Sequence, residues 1–415
     1  MDKQPNYRST MAACCLGMLV MAAAANLTPI LFIPLREQFG LSFAELGSLV
    51  LINFLTQVTC DFAFSKAIDK HGFRPFVVTA QALCFAGFLL FAFVPVLFKG
   101  NTFLGFAIAT VIFSGSAGLC ELLLSPIIDA LPLGNKNTVM AFLHSFYAWG
   151  SVAVIFITTV FLYVCGRDNW QWIVLAWMVV PVVTGVLFCK VPLRNKASEM
   201  QVMRIRALVR EPIFLLAFFA IALGGAAEVT MSQWTSAYME TVLGLPKLVG
   251  DTLGMCMFAL LLGLGRLLYG KLGHRMDLNR VLIFGACGAA VCYLVVAVSP
   301  VPALSLTACG LCGLCTSLLW PGTLTFTSER LPMAGASMFA LLAAGGDIGA
   351  AAGPAATGMI AEYAESTGLF AGTPEQAGMR LALLLAAAVP LLCAGLHVAL
   401  RRKSRNQPSA VENNV

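Results

Sequence analysis

The sequence predicts an all-α polytopic membrane protein of twelve transmembrane helices, arranged as two pseudo-symmetric six-helix bundles. Three observations predict it: apolar runs that scarcely stop, basic residues gathered on one side, and a loop motif repeated half a chain apart. Hydrophobic residues make up 59% of the chain and charged residues only 11%, whereas a water-soluble domain carries about a quarter. Most of the surface must therefore face lipid, and an ionisable group at membrane depth needs a partner or a role.

A spanning helix needs roughly 20 mostly apolar residues. Twelve such runs follow one another, at 10–35, 43–67, 75–98, 102–130, 138–164, 170–193, 213–241, 248–272, 279–298, 302–328, 333–362 and 377–400. Barrel strands would alternate apolar and polar residues, and these runs do not. The first run carries Asn26 and is too long for the apolar core of a cleavable signal. The second carries Asp61. The fourth carries Glu121, Ser125 and Asp129, and the fifth His144 and Tyr147. The seventh carries Glu228, Trp234 and Tyr238, and the eighth Arg266. The tenth contains Trp320-Pro321, and the eleventh Asp347 in a glycine stripe. The third, sixth, ninth and twelfth are apolar runs without a candidate group.

Basic residues fix the orientation. With both termini cytoplasmic, only Arg36, Lys99, Arg167, Lys247 and Arg380 fall on the far side, and the rest of the 26 lie in cytoplasmic segments, as the positive-inside rule requires. The net charge of +6 then reports topology and contact with anionic lipid, not nucleic acid. The 14 cysteines lie mostly inside spans, Cys14, Cys15, Cys256 and Cys287 among them, so no disulfide framework is expected. Cys309, Cys312 and Cys315 form CxxCxxC, but an iron–sulfur cluster usually needs four thiolates, so packing is the expectation, with neither metal nor cofactor. No P-loop, HExxH or GxSxG occurs, which leaves ATP-driven transport and common hydrolase chemistry unsupported, and no enzyme is expected.

The longest charged connection, Arg194–Glu211, lies near mid-chain. It divides an N-terminal bundle (1–193) from a cytoplasmic linker (194–212), a C-terminal bundle (213–400) and a cytoplasmic tail (401–415). A short amphipathic helix around Met200–Val209 is expected to lie on anionic headgroups. A repeat crosses this linker. Ser65 to Arg74, after the second span, aligns with Gly270 to Arg275, after the eighth, at an offset of 205 residues. Two related six-helix halves would give such an offset.

The arrangement resembles the major facilitator superfamily of secondary transporters. The resemblance rests on Asp69, Lys70, Gly72 and Arg74, with Ser65 in place of the usual first glycine and His274 in place of the second acidic residue, before Arg275. A carboxylate between bases at a helix end can pair and unpair between conformational states. Asp61, Asp69, Lys70, Gly72, Arg74, Arg266, His274 and Arg275 are therefore the candidate gate. Arg266 also has the reach to snorkel as a lipid anchor. A solvated topogenic loop is the competing reading.

Glu121 is the leading candidate for chemistry. It shares a face with Ser125 at i,i+4, and Pro126 frees a backbone carbonyl there. His144 lies at a similar depth on the next span. A carboxyl group in a low-dielectric cavity suits proton uptake and release, and a histidine neighbour tunes it. A static Glu–His pair joining two helices is the alternative. Trp234 and Tyr238, an i,i+4 pair, are read as stacking plates for a sugar or as packing. Asn26, Ser125, Tyr147, Glu228, Trp320 and Asp347 complete the candidate solute-binding set. The fourth- and fifth-span segments, with Trp234, Tyr238, Trp320-Pro321 and Gly345-Gly346, resemble the fucose permease and glucose/galactose permease branch. That resemblance implies proton-coupled sugar transport through Glu121. The branch's first-span acidic residue is not matched, Asn26 being the nearest polar group.

The expected function is alternating-access transport of a small polar solute, a sugar, with a proton or sodium ion as coupling ion, by a monomer in the cell membrane. A drug/proton antiporter on the same fold and a non-transporting sensor or scaffold are the alternatives. No Lys or Arg lies between Lys99 and Lys136 and no proline in the fifth span, and such antiporters typically carry a fourth-span arginine and a fifth-span Gly-Pro.

Overall fold

The computed structural model describes residues 7–132, 136–193, 205–273, 276–331, 334–367 and 373–405. Among these the secondary structure is helical throughout. The first unit contains α1 (Tyr7–Ile30), α2 (Phe43–His71), α3 (Phe73–Leu97), α4 (Thr102–Asp129), α5 (Lys136–Cys165) and α6 (Trp170–Lys190, in two segments). The second contains α7 (Pro212–Thr241), α8 (Lys247–Leu272), α9 (Leu278–Val298), α10 (Pro302–Arg330), α11 (Gly335–Thr367) and α12 (Pro374–Ser404). The units divide between Ser198 and Glu199. Among the described residues, eleven of these contain a stretch long and apolar enough to cross a membrane. The α11 helix is 33 residues long.

Prolines explain where the helices break. Pro34 has no N–H for the Ile30 carbonyl, and α1 ends at Ile30 before a short helix, Phe32–Phe39. Pro181 leaves the Trp177 carbonyl free, and α6 is interrupted at Met178. Pro390 does the same to Ala386, and α12 is interrupted at Ala387. Pro321 releases the Ser317 carbonyl, where α10 passes through a turn at residues 317–320. Side chains set several helix starts. Ser42 and Glu45 form a reciprocal capping box at α2, and Asn101 and Asp277 cap α4 and α9.

Each unit repeats the same pairing. The contacts α1–α5, α2–α4, α3–α4, α3–α6 and α1–α6 in the first recur as α7–α11, α8–α10, α9–α10, α9–α12 and α7–α12 in the second. The starts of α3 and α9 lie 205 residues apart, the spacing of the loop repeat. In the first unit Phe88, Phe91, Phe106, Phe113 and Trp170 interlock at one end. In the second, α11 crosses α7 so closely that a Cβ on Gly349 would stand 1.7 Å from the Ala222 carbonyl oxygen. Only glycine permits that crossing.

Of the expected linker helix around Met200–Val209, only Ile205–Leu208 is described as helical, and residues 194–204 lie outside the described residues.

Candidate functional site

In the first unit the polar face is built by α4, α5 and α1. Ser125 Oγ and His144 Nε2 share a hydrogen bond at 3.2 Å, so α4 and α5 meet through these two side chains. Glu121 lies one turn before Ser125 on the same face of α4 and is half-buried. Tyr147, also half-buried, is three residues from His144. Its carbonyl accepts from Ser151 Oγ at 3.0 Å, and Ser151 Oγ accepts from Asn26 Nδ2 at 3.1 Å. Asn26 also donates to the Ala22 carbonyl at 2.8 Å. Asn26 is therefore buried and joins α1 to α5 through Ser151, a residue that sequence reasoning missed.

His144 is exposed, on a different side of α5 from the helix's exposed aromatic stripe. Phe142, Trp149, Phe156 and Tyr163 recur every seven residues along α5, and all are exposed. That stripe is the lipid-facing side of the helix. His144 stands two residues from Phe142, about 200° around the axis, on the side that carries Tyr147 and Ser151.

In the second unit Arg266 pairs with Glu228. Nη2 lies 3.3 and 3.4 Å from the two carboxylate oxygens, and Nε donates to the Ser317 carbonyl at 3.1 Å. This corrects the reading of Arg266 as a snorkelling anchor, because its guanidinium turns inward to an acid on α7. The Ser317 carbonyl is the one that Pro321 leaves without a helix donor. One guanidinium thus neutralises a largely covered carboxylate, 14% exposed, and satisfies a proline-freed backbone oxygen.

Trp234 and Tyr238 are correspondingly not open plates. They are 1% and 0% exposed. Trp234 Nε1 donates to the Pro354 carbonyl at 3.1 Å, and Tyr238 OH to the Val296 carbonyl at 2.7 Å. Tyr293 OH donates to the Ala227 carbonyl at 2.7 Å. These three polar tips bolt α7 to α11 and α9. Trp320 is half-buried, and its indole covers Gly346, where a Cβ would meet the ring at 2.5 Å. Asp347, next along α11, is buried.

A second ion pair was not anticipated. Lys247 Nζ lies 3.0 Å from Asp251 Oδ2 and 3.0 Å from Ser236 Oγ. The sequence alone starts this span at 248 and places Lys247 in an aqueous loop, although its i,i+4 spacing to Asp251 is visible in the chain.

The repeated loop is described in part. Gly72 ends α2 with φ of 79°, a left-handed value that favours glycine. Arg74 donates to the carbonyls of Phe188 (3.0 Å), Cys189 and Val191 (2.7 Å), closing the end of α6. Lys70 is exposed. The side chains of Asp61 and Asp69, and residues His274 and Arg275, lie outside the described residues. Among the described residues no group of three His, Cys, Asp or Glu could hold a metal ion.

No curated protein sequence matches the chain. Solved structures match it closely in fold. A bacterial homologue of the human lysosomal transporter Spinster aligns with a TM-score of 0.77 at 14% identity, covering 98% of this chain and 100% of that one. The nucleoside transporter NupG aligns with a TM-score of 0.77 at 12% identity, covering 94% and 99%. The E. coli fucose:proton symporter FucP aligns with a TM-score of 0.61 at 15% identity, covering 94% and 99%. The fucose branch is thus one neighbour among several and is not singled out. The family profile described as Major Facilitator Superfamily matches residues 13–257 and 249–414, nearly the whole length, and the chain belongs to that superfamily of transporters.

Proposed function

We propose that this protein is a secondary active transporter that moves a small polar solute, a sugar, across the cell membrane by alternating access in symport with protons. The observation that carries the reading is the Ser125–His144 hydrogen bond at 3.2 Å, one turn from Glu121 and off the lipid-facing stripe of α5. A half-buried carboxyl one turn from a hydroxyl bonded to an imidazole offers donors and acceptors to a polyol, and a proton site on the same helix face. Tyr147 and Asn26 extend that face. Among structural neighbours, FucP is named a fucose:proton symporter and NupG a nucleoside transporter, both handling sugar-containing or sugar solutes. The gate residues Asp61, Asp69, Lys70, Arg74, His274 and Arg275 belong to the same reading, as do cytoplasmic termini and action as a monomer.

The test is uptake by the reconstituted full chain. Sugars, nucleosides, organic acids and organic cations are offered under an inward proton gradient, a sodium gradient, or none. Accumulation of a neutral sugar driven by the proton gradient supports the reading. Sodium-driven accumulation with no response to protons overturns the coupling ion. Proton-driven expulsion of hydrophobic cations overturns the solute in favour of an antiporter.

A further inference from the structure

Among the described residues the Lys247–Asp251 pair is the most deeply buried ion pair of the second unit, with side chains 7% and 0% exposed. It stands at the head of α8, where Gly250–Cys256 forms a π-helical segment. Such segments are rare and occur mostly at functional sites. A buried ion pair is also a poor clip, because desolvating two ions costs more than burying apolar side chains of similar volume. Its presence on a π-helical turn needs a reason other than holding α7 against α8.

The chemistry of the cradle supplies one. Lys247 Nζ is held by Asp251 Oδ2 at 3.0 Å, Asp251 Oδ1 at 3.3 Å and Ser236 Oγ at 3.0 Å. Two carboxylate oxygens and a hydroxyl are hard oxygen donors, suited to a proton or a small cation. The ammonium that fills the cradle rides on a flexible four-carbon stem, so it can leave without moving a helix. The charged and titratable groups around the cradle are few. The α8 helix contributes Lys247, Asp251 and Cys256. From α7 come Ser236 and, one turn on, Glu240. The stretch of α10 beside the π-helical segment, around Leu306, carries Cys309 and no charged residue.

We infer that Asp251 and Ser236 form a monovalent-cation site, filled in this conformation by the tethered ammonium of Lys247 and filled by a proton or a sodium ion when that ammonium swings away. The inference rests on the reading of the protein as an ion-coupled transporter and adds to it a cation site in the second unit, separate from Glu121.

The experiment uses the purified full-length protein without solute, so it stands apart from the transport assay. Thermal unfolding is followed while pH is varied, and separately while sodium chloride replaces choline chloride at fixed pH. Wild type is compared with Lys247→Met and with the double variant Lys247→Met/Asp251→Asn. Removing the tethered competitor is expected to lower the half-saturating concentration of the stabilising cation at least tenfold relative to wild type. The double variant is expected to lose that stabilisation. A response to pH alone assigns a proton, and a response to sodium at fixed pH assigns sodium. If Lys247→Met fails to fold, Lys247→Gln, which keeps a donor for Asp251, carries the same comparison. Identical cation responses in the single and double variants overturn the site. Failure of wild type to transport any solute would refute the transporter reading and leave this comparison intact.

Discussion

Arg266 on α8 and Glu228 on α7 form a salt bridge of 3.3 Å, and the same guanidinium donates to the Ser317 carbonyl of α10. Three helices of the second unit therefore meet at one cation. Removing it leaves a carboxylate and a backbone oxygen without their donor. Arg266→Met is expected to lower stability by about 2–3 kcal/mol, and Glu228→Gln/Arg266→Met to recover part of the loss. Thermal unfolding in detergent checks both. A fully neutral Arg266→Met would show that the pair contributes nothing.

Pro321 sets up that arrangement by withholding an N–H from Ser317. Pro321→Ala restores a helix donor, so the carbonyl no longer depends on Arg266. A double-mutant cycle between Pro321→Ala and Arg266→Met is expected to give a coupling of about 0.5–2 kcal/mol. Strict additivity would mean that the Nε contact is incidental.

Trp234 and Tyr238 hold helices together through backbone carbonyls. Tyr238→Phe removes one buried donor and is expected to cost about 1–3 kcal/mol of stability while leaving the transport KM within about twofold, a change of roughly 0.4 kcal/mol. Trp234→Phe is expected to behave alike, with a further packing loss. A tenfold rise in KM at unchanged stability would restore both rings to the solute site.

Ser125→Ala is expected to do the reverse. The Ser125–His144 bond is exposed, so its loss should cost under about 1 kcal/mol of stability. Transport KM is expected to rise about five- to tenfold, since a donor to the solute disappears and His144 loses its anchor. Unchanged uptake kinetics would remove this pair from the site.

The spans were legible because lipid demands long apolar runs, and that demand is written locally in the chain. The α11 helix was found the same way despite its Ala and Gly, since the run is long and nearly free of charge. The partners of Arg266 were not legible. Glu228 lies 38 residues away on another helix, and only the fold brings them together. Whether Trp234 faces a solute or a carbonyl is likewise a matter of helix rotation, which ring chemistry does not encode. Ser125 and His144 were legible as a pair because similar positions on consecutive spans let their side chains meet, as their hydrogen bond shows, whereas the i,i+4 spacing of Glu121 and Ser125 is local to one helix. The breaks at Met178 and Ala387 had a local cause in Pro181 and Pro390, a signal the span count passed over.

Glu121 is proposed to carry the coupling proton beside the solute. The measurement is solute flux by Glu121→Gln in proteoliposomes, compared between proton-gradient-driven accumulation and exchange of labelled for unlabelled solute at equal pH. Loss of accumulation with exchange retained is the expected result. Accumulation equal to wild type in that variant would contradict it.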